Sequence, residues 1–361
     1  MDDFSTNRHA ESALRPDASS SLPTRHPDLW FSDGNIVLVA GDFYFNVHRG
    51  LLCRHSTVLE EAINALDAED RHPCLIEGNS VLELDEQPKD LCRFLMALYD
   101  GVSGIKHDHL DFENVSALLR LSTKYAVEHI RNDILRGMSA IWPKTLSAWE
   151  FREADATDVT GIYKPRAVYP HPILVINLAK ETGATELLPS AFYDLSRCAA
   201  SEIATGYLPP GGSDRSELQI LSDEDLMNAL RGREHASRFL STFVVNELEG
   251  RDASAGCVHR NDPDPFRKRI CQATFEATTF EILRDVNGVV FHRSSDPLFA
   301  IMDADLMQTR SDSTNGSGRL SLLHRACEPC RLEFTAAVDA AREDMWHKIP
   351  AWFGIEIANW P

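Results

Sequence analysis

The fold is decided by residues 33–56, which read DGNIVLVAGDFYFNVHRGLLCRHS. Residues 35–40 and 43–47 are two short runs of β-branched, aliphatic and aromatic residues, a composition typical of strands. Between them, Gly41-Asp42 is a turn signal. The two runs therefore predict a β-hairpin near the start of the ordered chain.

After the hairpin, the sequence changes to helical periodicity. Ser56 and Thr57, with Glu60 following, form a capping-box signature for the start of a helix. Farther along, Pro88 opens a helix that Gly101 ends. Two more helices follow, and their inward faces carry Val115, Leu118, Leu119 and Ser122 in the first and Ile130, Ile134 and Met138 in the second. Strands followed mostly by helices indicate a mixed α+β domain.

The order of these features resembles the BTB/POZ domain. That family shows an aspartate, an apolar strand, a turn, a second strand ending in His-Arg or His-Lys, a helix with paired apolar residues, and a serine. The resemblance continues after the serine with Leu84, with the helix that begins at Pro88 and includes Leu95–Gly101, and with residues 118–125. It covers roughly residues 27–140. It implies a protein-interaction domain that forms a homodimer.

The resemblance also implies which residues take part in the interaction: Asp33, His48 and Arg49. In the family, the corresponding aspartate and basic residue lie near the dimer interface and the peptide-binding groove, and a partly desolvated Asp33–Arg49 pair would set the register of the partners. The alternative is an exposed aspartate in a turn and an arginine on a helix surface. His48 is expected to be a packed, hydrogen-bonded residue without chemistry of its own.

The family also implies a larger assembly. In members that act as ubiquitin-ligase adaptors, the helix from Pro88 to Tyr99 helps to contact a cullin-type scaffold. Asp90, Arg93 and Asp100 would face outward there, although a solvated charged face explains the same residues. Recruitment of a client to a cullin-type ligase is therefore an expectation that rests on the resemblance.

Three regions are expected along the chain. Residues 1–26 are a polar tail predicted to be disordered, with order beginning near Pro27. Residues 27–140 form the mixed domain, and 141–361 a mainly helical region with polar loops, one of them at 151–171. Helices are predicted in the last region at 173–182, 189–203 and 222–248 and from about Arg331.

Composition and charge indicate which kinds of partner and which cellular location to expect. Lys and Arg number 36 against 55 Asp and Glu, a net charge of −19, so the surface repels phosphate backbones and disfavours nucleic acid as a partner. No stretch approaches the about 18 apolar residues of a membrane span, and the polar first 25 residues do not resemble a secretory signal. We therefore expect a cytoplasmic or nuclear protein with reduced cysteines.

Four of the cysteines are candidates for a structural zinc site. Cys327 and Cys330 have the spacing of half a tetrahedral site, and Cys257 and Cys271 could supply the other half if the chain folds back. The alternative is that they are scattered small apolar residues, because a lone CxxC without a matching pair is common. A zinc module here would also allow a second function, transcriptional regulation, against which the net charge argues.

The sequence offers no catalytic machinery. Phosphate-binding loops, HExxH and nucleophile elbows are absent from it, so we expect a protein that is not an enzyme and needs no cofactor beyond the zinc. A third hypothesis, an unrecognised hydrolase in the C-terminal half, stays open because triads assemble from distant residues. The end of the chain, with Cys327-Glu-Pro-Cys330, Trp346 and residues 349–354, resembles BTB proteins that are numerous in mushroom-forming fungi.

Overall fold

The computed structural model describes residues 24–68, 75–107, 111–158, 162–209, 217–285, 296–309 and 325–361. The chain divides into two compact units, Met1–Tyr99 and Asp100–Pro361. Most of the predicted tail, residues 1–23, lies outside the described residues. The rest of that prediction is wrong, because Thr24–Trp30 is a strand that pairs with a neighbour in the sheet.

The first unit is built on a small sheet. Its strands are β1 Thr24–Trp30, β2 Ile36–Ala40, β3 Phe43–Val47, β4 Leu75–Ile76 and β5 Asn79–Glu83. Among the described residues, the strand order is β1-β3-β2-β5-β4. The predicted hairpin is confirmed: β2 and β3 are antiparallel, with Ile36 opposite Val47. Strand β2 is central and almost wholly buried, as its uninterrupted apolar run requires.

Among the described residues of this unit, the helices are α1 Arg49–His55, α2 Thr57–Ala68 and α3 Pro88–Asp100. The Ser56 hydroxyl accepts a hydrogen bond from the Leu59 N–H at 3.0 Å, so Ser56 caps α2 and separates it from α1. Four apolar residues of α3 recur at helical spacing, as one face of a helix requires, and all are buried: Leu91, Phe94, Leu95 and Leu98. Gly101 follows α3 with a φ of 79°, the left-handed conformation expected of a C-cap glycine.

The Asn46 side chain stabilises the turn between β1 and β2 by hydrogen bonds. Its Nδ2 donates to the Phe31 carbonyl at 2.6 Å, and its Oδ1 accepts from Asn79 Nδ2 at 3.1 Å. A Cβ on Gly34 would lie 2.6 Å from the Asn46 side chain, so only glycine fits there. The glycine and the two asparagines together fix the position of Asp33.

The second unit is helical. Its helices are α4 Phe112–Lys124, α5 Glu128–Ile141, α6 Leu146–Asp155, α7 Pro172–Thr182, α8 Leu188–Ser196, α9 Ala200–Thr205, α10 Asp223–Phe243, α11 Pro265–Lys268, α12 Ile270–Asp285, α13 Pro297–Thr309 and α14 Glu328–Trp352. Helix α14 packs against α13, α10 and α8. The predicted mainly helical C-terminal part and the α+β class are confirmed. No helix in the described ranges is long and apolar enough to cross a membrane.

Several helix boundaries in this unit differ from the predictions. Helix α6 runs to Asp155, so the predicted loop at 151–171 begins later. The predicted helix at 189–203 is divided into α8 and α9. Helices α12 and α13 were not predicted, because their apolar residues are spread around the helix and give no one-sided stripe.

Candidate functional site

The first candidate site surrounds the end of β3, where the predicted interaction residues lie. Asp33 Oδ1 is 3.2 Å from His48 Nε2, and the Asp33 side chain is 81% exposed. His48 Nδ1 lies 2.8 Å from the Tyr99 hydroxyl, which also accepts the His48 backbone N–H at 3.0 Å. The Phe31 ring packs on Tyr99 with centroids 4.8 Å apart. His48 is thus held at both ring nitrogens, consistent with the packed role expected of it.

Tyr99 is the member of this site whose contact to His48 the sequence did not suggest. Burial raises the pKa of the Tyr99 hydroxyl, the His48 hydrogen bond opposes this, and the Asp33 carboxylate adds to the increase. The hydroxyl therefore stays protonated and serves as a hydrogen-bonding group. Tyr99 lies in the last turn of α3, about fifty residues after His48, and only the fold brings it to β3.

Within one chain Asp33 contacts His48 and not Arg49, so the predicted Asp33–Arg49 pair stays a prediction for the dimer. Arg49 pairs with Asp67 on α2 at 2.5 Å and donates to Asn64 Oδ1 at 3.2 Å. The hydrogen bond to Asp67 is the largest cause of a raised Arg49 pKa. The reason is geometric: Arg49 is the first residue of α1, which packs on α2, whereas the β2–β3 register places His48 beside the turn that carries Asp33.

Helix α2 has two neighbouring apolar stripes. Leu59 and Ile63 form the buried one. Val58, Ala62 and Leu66 form the second stripe, which is only partly covered: Val58 is 39% exposed and the other two are half-buried. Residues four apart on a helix lie on one face, so this second stripe is a continuous apolar strip at the surface of the unit.

The second candidate site is a cluster of four cysteines in the helical unit: Cys257, Cys271, Cys327 and Cys330. Their sulfur atoms all lie within 4.8 Å of one another. Cys257 is in the loop that follows α10, Cys271 is in the first turn of α12, Cys327 is the N-cap of α14, and Cys330 is in its first turn. The chain does fold back as the zinc hypothesis requires, and four sulfurs this close could bind one metal ion.

The four thiols do not share one environment. Burial tends to raise the pKa of Cys327, but hydrogen bonds from the backbone of Cys330 and Val258 and from neighbouring thiols lower it to about 7. Burial raises the pKa of Cys271 and of Cys330. Cys327 therefore loses its proton more readily than Cys271 and Cys330 do.

A buried cluster of charged residues lies elsewhere in the helical unit, and sequence reasoning missed it. Its members are Arg152, Glu153, Asp194, Arg197 and Asp296, all buried. Arg197 contacts Glu153 and Asp296 at 2.7 Å and Asp194 at 2.5 Å. Burial tends to raise the pKa of Asp194, but Arg166, Arg152 and Arg197 hold it well below its usual range. The carboxylates are all engaged by guanidinium groups, which favours a structural role.

Comparison with known families identifies the first site. Residues 31–138 match the family model of the BTB/POZ domain. This stretch contains Asp33, His48, Arg49, Tyr99 and helix α2, so the first site belongs to a protein–protein interaction domain. The match covers less than half of the chain and assigns nothing to the residues beyond it.

A search of curated proteins finds no match to this chain. The resemblance of its C-terminal end to fungal BTB proteins therefore stays a prediction, as do the alternatives of a transcriptional regulator and a hydrolase. The domain boundary expected at residue 140 also stays a prediction. The family match ends at residue 138, whereas the first of the two compact units ends at Tyr99.

Proposed function

We propose that this chain is a protein-interaction adaptor that forms a homodimer through its BTB/POZ domain. The match of residues 31–138 to that family carries the proposal. The second apolar stripe of α2, Val58, Ala62 and Leu66, supports it, because a two-fold axis brings the same stripe of two copies together and buries both.

Charge on the neighbouring helices favours the same arrangement. Arg54 is exposed on α1, and Glu60 and Glu61 are exposed on α2. In a two-fold dimer, α1 of one copy can face α2 of the other, so these opposite charges can pair around the apolar strip. Pairs at such a rim set orientation more than affinity.

Light scattering of the full chain at micromolar concentration tests the dimer. We expect a mass of twice the 40.4 kDa of one chain. Val58→Glu places a charge in the apolar strip and should shift the protein to monomer. Val245→Glu is the matched control, since Val245 is 56% exposed in the helical unit, and should remain dimeric. A monomeric wild-type chain would overturn the proposal, as would a Val58→Glu variant that dimerises as the wild type does.

The proposal extends to α3, which would contact a cullin-type scaffold. Met96 is 39% exposed on this helix, with Lys89 and Asp100 also exposed. Asp90 and Arg93 pair with each other at 3.0 Å and are less available than the sequence suggested. An exposed methionine among charges is an adaptable contact for a partner.

Calorimetric titration with a purified cullin-type scaffold tests this extension. We expect binding by the wild-type chain and its loss in Met96→Glu. Leu332→Glu, at a residue 65% exposed on α14, should bind as the wild type does. Failure of the wild type to bind would remove the scaffold from the proposal and leave the dimer intact. No catalytic step is assigned to the chain, because the BTB/POZ domain acts by binding.

A further inference from the structure

The cysteine cluster joins three separate parts of the helical unit. Cys257 comes from the loop that follows α10, Cys271 from α12, and Cys327 and Cys330 from the start of α14. Gly256 lies close to Pro329 of the Cys327–Cys330 turn, where a Cβ would meet the proline ring at 3.4 Å. The loop and the turn therefore already lie in contact at the cluster.

Two of the sulfur–sulfur distances match those of a tetrahedral site. A zinc ion binds thiolates at about 2.3 Å, so the corners of its tetrahedron are about 3.8 Å apart. Cys257 Sγ lies 3.7 Å from Cys271 Sγ and 3.7 Å from Cys327 Sγ. The fourth sulfur, of Cys330, lies within the same 4.8 Å limit.

Other uses of four cysteines fit less well. A disulfide requires sulfurs about 2.05 Å apart, whereas all four of these cysteines are free thiols. A cluster of two or four irons holds its cysteine sulfurs farther apart than a single ion does. Packing as small apolar side chains would not require the four sulfurs to meet at one point.

Backbone N–H groups point at the sulfur atoms. The Cys327 N–H donates to Cys271 Sγ at 3.3 Å, and the Ser254 N–H donates to Cys330 Sγ at 3.3 Å. The N-terminus of α14, a helix of 25 residues, also lies at the cluster. Donors and a positive helix end stabilise the net negative charge of a metal bound by four thiolates.

We propose that Cys257, Cys271, Cys327 and Cys330 bind one zinc ion. With four protein ligands the site is closed, so the zinc has no open position for a substrate and acts structurally. The zinc ion would link the loop after α10 to the first turns of α12 and α14. This site is independent of the proposed dimer, because it lies outside the residues that match the BTB/POZ domain.

Metal analysis of the purified full chain is the first test. We expect one zinc ion per chain by plasma mass spectrometry, retained through gel filtration. Alkylation followed by peptide mass spectrometry should show the four cluster thiols protected until a chelator is added. A chain that carries no zinc and binds none when zinc is added after reduction would overturn the proposal, and so would iron in place of zinc.

Substitutions provide the second test. Cys327→Ser and Cys271→Ser should bind zinc at least about tenfold more weakly than the wild type, measured by competition with a coloured chelator. Cys198→Ser is the matched control, since Cys198 lies outside the cluster, and should bind one zinc ion as the wild type does. Zinc binding unchanged in both cluster variants would contradict the assignment. If a variant does not fold, the zinc content of the wild-type chain still decides the question.

Discussion

Arg152 and Asp194 form an ion pair at 2.9 Å in which both side chains are only 1% exposed. The Arg152 guanidinium also lies over the rings of Trp142 and Trp149, at 4.8 and 4.6 Å from their centroids. A charge at such depth has lost its hydration, and the opposite charges and aromatic faces around it replace the water. Removal of one partner would leave the other buried without compensation.

Asp194→Asn should therefore destabilise the helical unit strongly. Asparagine keeps the shape of the side chain but leaves Arg152, Arg166 and Arg197 with one carboxylate fewer. We expect the free energy of unfolding to fall by about 3–5 kcal/mol, measured by urea denaturation. Asp133→Asn breaks the exposed pair with Arg136 and should change stability little. Equal effects of the two substitutions would show that burial of the pair is unimportant.

His171 should make stability depend on pH in the acidic range. Burial, with Arg166 nearby, lowers the pKa of His171 to about 4. In the unfolded chain a histidine titrates at about pH 6.5. Between the two pKa values His171 is therefore protonated in the unfolded chain and neutral in the folded chain. The contribution of His171 to stability is constant above about pH 6.5. It falls as the pH decreases from about 6.5 toward about 4, by up to about 1.4 kcal/mol per pH unit, and is constant again below about pH 4.

Replacement of His171 by asparagine tests this pH dependence. His171 Nδ1 accepts the Ile173 N–H at 3.3 Å as the cap of α7, and asparagine can also cap a helix. The loss of stability between about pH 6.5 and pH 4 should become smaller in His171→Asn and persist in the control His235→Asn, at an exposed histidine. Unfolding by urea at several pH values measures both. An unchanged pH profile in His171→Asn would refute the prediction.

Tyr99→Phe should loosen the end of β3. The phenylalanine ring can still pack on Phe31, but the His48 N–H and Nδ1 lose the hydroxyl that they contact. We expect a loss of about 1–3 kcal/mol in the free energy of unfolding. Tyr44→Phe, at a half-buried tyrosine of β3, is the control and should lose less. If both variants unfold at the same urea concentration, the hydroxyl of Tyr99 is not important to the site.

Gly232→Ala should destabilise α10 although alanine favours helices. A Cβ at position 232 would lie 2.0 Å from the Phe353 ring, which is fully buried and packs on Phe192. Overpacking costs about 1–3 kcal/mol, which exceeds the gain of up to about 1 kcal/mol in helix propensity. Gly50→Ala on α1, where a Cβ meets nothing within 4 Å, should be neutral or stabilising. Thermal melts of the two variants would reveal the difference, and a Gly232→Ala chain that melts no lower than the wild type would contradict it.

Most local features of the first unit could be predicted because each depends on residues close in sequence. The β2–β3 hairpin follows from two apolar runs around Gly41-Asp42, and α3 from a Pro start, a stripe and Gly101. Helices α12 and α13 could not be predicted in this way, since helices without a one-sided stripe have no periodic signal. The pairing of Arg49 with Asp67 could not be predicted for a related reason, because it depends on how α1 packs on α2.

The sequence by itself determined the β2–β3 hairpin, the helices that have one-sided apolar stripes, the interaction domain and the four cysteines that could bind zinc, because turn residues, caps and spacing act locally. Only the tertiary structure decided that Tyr99 reaches His48, that the charges of Arg152 and Asp194 are buried together, and that residues as distant as Cys257 and Cys330 lie within 4.8 Å. Contacts between distant parts of the chain arise from packing, in which each helix is positioned by every neighbour it touches. No local pattern contains that information.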